Sequence, residues 1–144
     1  DWVSEGRLTQ LMYDRFTAKG RGIDKIPTLD APCLSGRESP LPSLQELIKS
    51  TERAILVTNF WYIRTVNPTD LTLTGMTRDG TFLVENGEVV SAVKNFRFHE
   101  SPLRVFNRIV AFTNPAEAIT SETGKFLVPA MTLRDFNFSS VTRF

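Results

Sequence analysis

The side chains that most often do chemistry are scarce in this sequence. His99 is its one histidine and Cys33 its one cysteine, in 144 residues. A zinc site needs several convergent His, Cys or carboxylate ligands. The stretch His99-Glu100-Ser101 is half of a helical zinc motif, but Pro102 and Leu103 follow it and no second histidine does. A self-contained zinc hydrolase is therefore excluded. A Ser-His-Asp triad would have to use His99, and no Gly-x-Ser-x-Gly elbow occurs. A Cys-His pair would join Cys33 to His99. Cys33 sits between Pro32 and Leu34, a setting that reads as a small buried hydrophobe rather than a nucleophile. "GRG" at 20 to 22 is too short for a phosphate loop. No catalytic residue is assigned.

Binding is better represented. In "NFWYIR" (59 to 64) strand alternation sets Phe60 and Tyr62 against Trp61 and Ile63. Trp61 reads as core. If one face lines a groove, Tyr62 and Arg64 can hold a peptide or a carboxylate. Arg78, Arg97 and His99 complete the set of substrate-groove candidates, His99 lying beside a helix start.

The elements that must position these residues follow from pattern. Residues 6 to 22 begin extended and turn helical around Tyr13 to Lys19, with Gly20 and Gly22 ending the helix. Residues 23 to 42 hold four prolines and read as loop, with a short edge strand at Cys33-Leu34. "PSLQELIKST" (42 to 51) is a helix opened by a capping box of Ser43 and Glu46. "RAILVTNFWYIRTV" (53 to 66) is a long strand, broken by Asn67-Pro68. Asp79-Gly80 and Asn86-Gly87 are favoured pairs for two-residue hairpin turns, which predicts a tight three-stranded meander over 71 to 95. "VKNFRFHESP" is extended. Ser101 and Pro102 open a further helix striped by Leu103, Phe106 and Val110, which Asn114-Pro115 ends. Residues 116 to 125 read as polar loop. "FLVPAMTLRDFNFSSV" reads as a last strand, with Pro129 at an edge or bulge. The expected fold is one α+β domain over residues 1 to 144. It is mainly antiparallel β, a meander-containing sheet or partly closed barrel with two or three short helices on one face or end.

Totals narrow the function classes. A hydrophobic share of 41% excludes whole-chain disorder, and no apolar run approaches a membrane span. The chain shows no signal peptide and begins without methionine, which suggests an excised domain. A net charge of +1 argues against nucleic acid as partner. The cluster Arg15, Lys19, Arg21 and Lys25 is interrupted by Asp14 and Asp24 and reads as solvated surface. A single cysteine excludes an internal disulfide and is compatible with a reducing cytoplasm.

Four stretches carry a family resemblance: "LMYDRFTAKGRG" (11 to 22), "SLQELIKSTERAILVTNFWYIR" (43 to 64), "LTLTGMTRDGTFLVENGEVVSAVKNFRFHESPL" (71 to 103) and "VPAMTLRDFNFSS" (128 to 140). In that order they resemble the C-terminal domain of the TldD/PmbA family, cytoplasmic metallopeptidases also named modulators of DNA gyrase. The resemblance implies a second, N-terminal domain with a helical His-Glu-x-x-x-His zinc motif, which is absent from this chain. It implies that the β-rich domain closes the site as the wall of a channel for unfolded or peptide substrates. It also implies homo- or heterodimers, some pairing a catalytic with a non-catalytic subunit. In catalytic members a C-terminal-domain cysteine can ligate the metal from the loop before the final strands. By register that loop is "AITSETGKF" here, with Thr120 or Ser121 in the cysteine's place, and neither hydroxyl is a good zinc ligand. Two options stay open: a non-catalytic, PmbA-like peptide-binding subunit, or a site completed in another way. The expectation is no cofactor in this chain, and zinc in a catalytic full-length parent or partner. The expected partners are a peptide or unfolded protein, the N-terminal domain and a second subunit, with neither nucleic acid nor membrane.

Overall fold

The computed structural model describes residues 3–24, 32–36, 40–120 and 124–142. In chain order the elements are β1 (Val3–Ser4), β2 (Arg7–Leu8), α1 (Arg15–Arg21), α2 (Leu44–Lys49), β3 (Arg53–Asn67), β4 (Thr72–Glu85), β5 (Glu88–Ala92), β6 (Phe96–Glu100), α3 (Pro102–Val105), a 3₁₀ turn (Phe106–Arg108), β7 (Ile109–Phe112), β8 (Ala116–Thr120), β9 (Gly124–Val128), β10 (Met131–Leu133) and β11 (Phe138–Val141). Among the described residues the pairs β1–β2, β3–β4, β4–β5, β4–β6, β6–β11 and β7–β10 are all antiparallel. The architecture is thus mostly antiparallel sheet with three short helices, and the strands form open sheets rather than a closed barrel. The chain divides into two compact units, residues 1–33 with 117–127 and residues 34–116 with 128–144.

In the first unit β1 and β2 form a small hairpin. Helix α1 starts at Asp14, whose carboxylate accepts from the Thr17 amide at 2.7 Å, and stops where Gly22 turns left-handed at φ 65°. The expected helix is therefore present, shifted about two residues toward the C-terminus. Two expectations fail here. The polar loop expected over residues 116 to 125 is strand at 116–120 and 124–125, where β8 and β9 pair; residues 121–123 lie outside the described residues. Cys33 is exposed, not buried, and only a single parallel bridge to Leu127 stands where an edge strand was expected.

The second unit is built on one sheet, in the order β11-β6-β4-β3. Strand β4 pairs with β3 along nearly its whole length. Its other side is shared: β6 covers Leu73–Met76 and β5 covers Phe82–Glu85. Strands β5 and β6 thus act as one long strand interrupted at Val93–Asn95. The interruption is satisfied by side chains. Thr77 and Thr81 hydroxyls both donate to the Asn95 carboxamide oxygen, at 3.2 and 3.0 Å, and the Phe96 amide donates to the Thr77 hydroxyl. Thr77 is 1% exposed, so this polar plug is buried and fully paired.

The Asn86-Gly87 turn forms as expected, with φ of 50° and 82°. Asp79-Gly80 does not turn the chain. Val57 pairs with Thr81 and Asn59 with Arg78, so Thr58 alone faces both residues, and β4 continues through a bulge. Asp79 takes the left-handed conformation (φ 59°) that the dipeptide offers, and the Thr58 hydroxyl donates to the Gly80 carbonyl. The meander is therefore β3-β4-β5, longer than the sequence suggests, with its first reversal at Pro68–Leu71.

The capping box is present, the Glu46 amide and the Ser43 amide each bonding to the other's side chain. The second capped helix is cut short. The Ser101 hydroxyl donates to the Asp70 carbonyl at 2.7 Å and accepts from no amide of its own helix start. After seven residues of helix and 3₁₀ turn the chain becomes β7, which pairs with β10. The single last strand is instead three, β9, β10 and β11, and Pro129 falls between the first two. Phe60, Phe96, Phe98, Phe136 and Phe138 stack edge and face with centroids 5.0 to 5.8 Å apart. With Phe98 5% exposed, they form the apolar centre on one side of the sheet.

Candidate functional site

Strand register decides which candidates share a face. Directly opposed residues of an antiparallel pair project to the same side. Thr74 of β4 opposes His99 of β6 and Arg64 of β3, so Arg64, Thr74 and His99 form one row. Met76 opposes Arg97 and Trp61, which form the next row, and Arg78 opposes Asn59 in the third. The face opposite the phenylalanine cluster therefore carries Arg64, Arg78, Arg97 and His99 together. All four are exposed.

Local geometry tunes this face. Trp61 pairs with Met76 and Arg64 with Thr74, so Tyr62 and Ile63 oppose Gly75 alone. Tyr62 is the bulged residue, left-handed at φ 55° and 55% exposed. The bulge breaks simple alternation and turns Arg64 back, its guanidinium carbon 4.3 Å over the Tyr62 ring. Gly75 is required there, since a Cβ would lie 2.6 Å from the Phe98 ring and 3.0 Å from the Trp61 carbonyl. Trp61 is not core: it is half-buried, with Arg78 4.9 Å above its ring. Asp79 is the carboxylate beside it, 3.5 Å from Arg78 and bonded to the Asn59 amide. No ion pair among the described residues engages Arg64, Arg97 or His99.

A second polar site escaped the sequence reading. His99, Glu100, Arg104, Asn107, Arg108 and Asn137 line an open depression of about 540 Å³. Glu100 is its anchor, 7% exposed and 2.6 Å from the Arg108 guanidinium. Burial raises the pKa of this carboxyl. The Arg108 hydrogen bond, the Ser101 and Asn137 amides and the Arg108 charge more than offset that, leaving it below its ordinary value. Arg108 also donates to the Asp135 and Arg104 carbonyls, and Arg104 reaches Asp70 and Thr72. These donors are occupied within the fold, so the depression is a clamp on the 134–137 loop. A buried acid of this kind has no sequence signature; Glu100 was visible only as half of a zinc motif.

Metal ligation finds little support in the donor chemistry. Among the described residues no three His, Cys, Asp or Glu side chains converge. Thr120 ends β8; Ser121 lies outside the described residues. The donors among the described residues do not by themselves fit zinc.

A sequence profile described as the PmbA/TldA metallopeptidase C-terminal domain matches residues 1–140. The chain belongs to that family. Solved structures that share this chain's fold include the following two. TldE from Thermococcus kodakarensis superposes with a TM-score of 0.71 at 15% identity, over 94% of this chain and 32% of its own. A candidate modulator of DNA gyrase from Bacteroides thetaiotaomicron VPI-5482 gives 0.69 at 23%, over 97% and 30%. This chain thus spans about a third of either relative's length. No curated protein matches it. No helix among the described residues is long and apolar enough to cross a membrane.

Proposed function

We propose that this PmbA/TldA C-terminal domain is a passive wall against which an extended peptide or unfolded chain lies. Hydrolytic chemistry, where the complete protein has any, belongs to a zinc-bearing N-terminal domain outside these 144 residues. One observation carries the reading: strand register gathers Arg64, Arg78, Arg97 and His99 with Trp61 on a single exposed sheet face. A flat face with aromatic platforms and long cationic side chains can hold a main chain with little dependence on its sequence. Strand β3 is also the sheet's edge, which leaves backbone donors and acceptors for an added strand. The cytoplasm and a second family subunit as dimer partner belong to the same reading.

Fluorescence anisotropy of a labelled, permanently unfolded polypeptide tests it. Saturable binding to the full chain, weakened several-fold by Tyr62→Ala or Arg97→Gln, is expected. Absence of saturable binding at about 100 μM overturns it. Thr120 and Ser121, standing where catalytic members place cysteine, favour a second reading, a non-catalytic binding or assembly subunit. Metal analysis of the purified complete protein separates the two, zinc at one per chain excluding the second.

A further inference from the structure

The face described above has an unbalanced charge. In the three rows from Arg64 to Arg78 it carries Arg64, Arg78 and Arg97 with His99 against the Asp79 carboxylate, held by Asn59 and Arg78; Glu85, paired with Arg53, and Glu88 follow only at the far end of the same face. Arg97 and His99 are two residues apart on β6, roughly 7 Å along the strand. Arg64 lies two strands away from His99 in the same row, roughly 10 Å across the sheet. An extended chain running along β6 presents alternate side chains at the same roughly 7 Å repeat. Resting on the wall reading, we propose that the polypeptide this face takes is an acidic one, with Asp or Glu at alternate positions facing Arg97, His99 and Arg78. Trp61 and Tyr62 supply flat surface for the intervening backbone. The bulge at Tyr62 and the ring under Arg78 hold two guanidinium groups back onto the sheet, so less freedom is lost when a carboxylate pairs with them.

Three labelled peptides of about twelve residues test this on the full chain: alternating Glu-Ser, Gln-Ser and Lys-Ser, with a duplex DNA of similar charge as a fourth probe. Two or three exposed ion pairs predict that Glu-Ser binds roughly 5-fold tighter than Gln-Ser at about 50 mM salt, and less than 2-fold tighter at about 0.5 M. The double variant Arg78→Gln, Arg97→Gln loses the preference. Equal affinity for Glu-Ser and Gln-Ser overturns the acidic preference and leaves the wall reading standing. Duplex DNA binding as tightly as Glu-Ser also overturns it, since the face would then read bare negative charge. Failure of all three peptides and of an unfolded polypeptide overturns the wall reading, and the acidic preference with it.

Discussion

Replacing Glu100 probes the clamp that fixes β6 and the chain around Asn137, and hence the row that holds His99. The carboxylate accepts the Arg108 guanidinium at 2.6 Å, the Ser101 amide at 3.0 Å and the Asn137 amide at 3.2 Å. Glu100→Ala removes both oxygens that accept these three bonds. Ser101 is 1% exposed, so its amide loses a partner that water cannot easily replace, at about 1–3 kcal/mol. A guanidinium stranded beside a buried cavity adds to this. Complete burial would make the whole change about 3–5 kcal/mol, but the Arg108 side chain is 27% exposed and can rehydrate. The expected loss is therefore about 2–4 kcal/mol for Glu100→Ala and about 1–2 kcal/mol for Glu100→Gln, which keeps one acceptor. Urea unfolding followed by circular dichroism measures both. The carboxyl's pKa is depressed in the folded state, so its contribution is complete above the ordinary value of 4.5 and fades as pH falls through the folded-state value. The gap between wild type and Glu100→Gln should then narrow on acidification from neutral pH. Losses within about 0.5 kcal/mol for both variants, or a gap that widens in acid, would refute the reasoning.

Other changes probe neighbouring features. Gly75→Ala drives a methyl against the Phe98 ring and the Trp61 carbonyl, and about 2–3 kcal/mol of stability should go with it in the same unfolding assay. Asn95→Ala strips the acceptor from two threonine hydroxyls at the β5–β6 break. About 2 kcal/mol is expected, with faster amide exchange at Phe96 as the local readout. Ser43→Ala opens the α2 capping box for about 1 kcal/mol, seen as a lower thermal midpoint. Zinc titrated into the full chain should give no calorimetric binding tighter than about 10 μM, because the described residues offer no convergent ligand set.

The sequence is most legible where structure is local. The Ser43–Glu46 box, the Asn86-Gly87 turn and the β3 run are each specified by neighbouring residues, and all three form. Asp79-Gly80 misleads because its left-handed aspartate serves a bulge as readily as a turn. The choice is made by pairing to β3 residues about twenty positions away, which no local pattern records. Ser101 misleads similarly, its hydroxyl being claimed by Asp70 from a distant loop. Trp61 seemed core by composition, yet β3 is an edge strand and leaves it half-covered. In the sequence the groove candidates stand out only singly, as basic or aromatic residues near strands. Their common face depends on register and on the Tyr62 bulge, both non-local. Glu100, Arg108 and Asn137 meet only after β6, the 3₁₀ turn and the chain before β11 are assembled.

The most direct test of the peptide wall is the nuclear magnetic resonance signal of the Trp61 indole N–H, assigned with a Trp61→Phe variant, during titration with an unfolded polypeptide. Trp61 stands in the row of Met76 and Arg97, with Arg78 over its ring, so a chain laid along this face should shift that signal and the Arg97 Nε–H signal along one binding curve. Saturable binding that leaves both signals unmoved would place the peptide elsewhere and contradict the account.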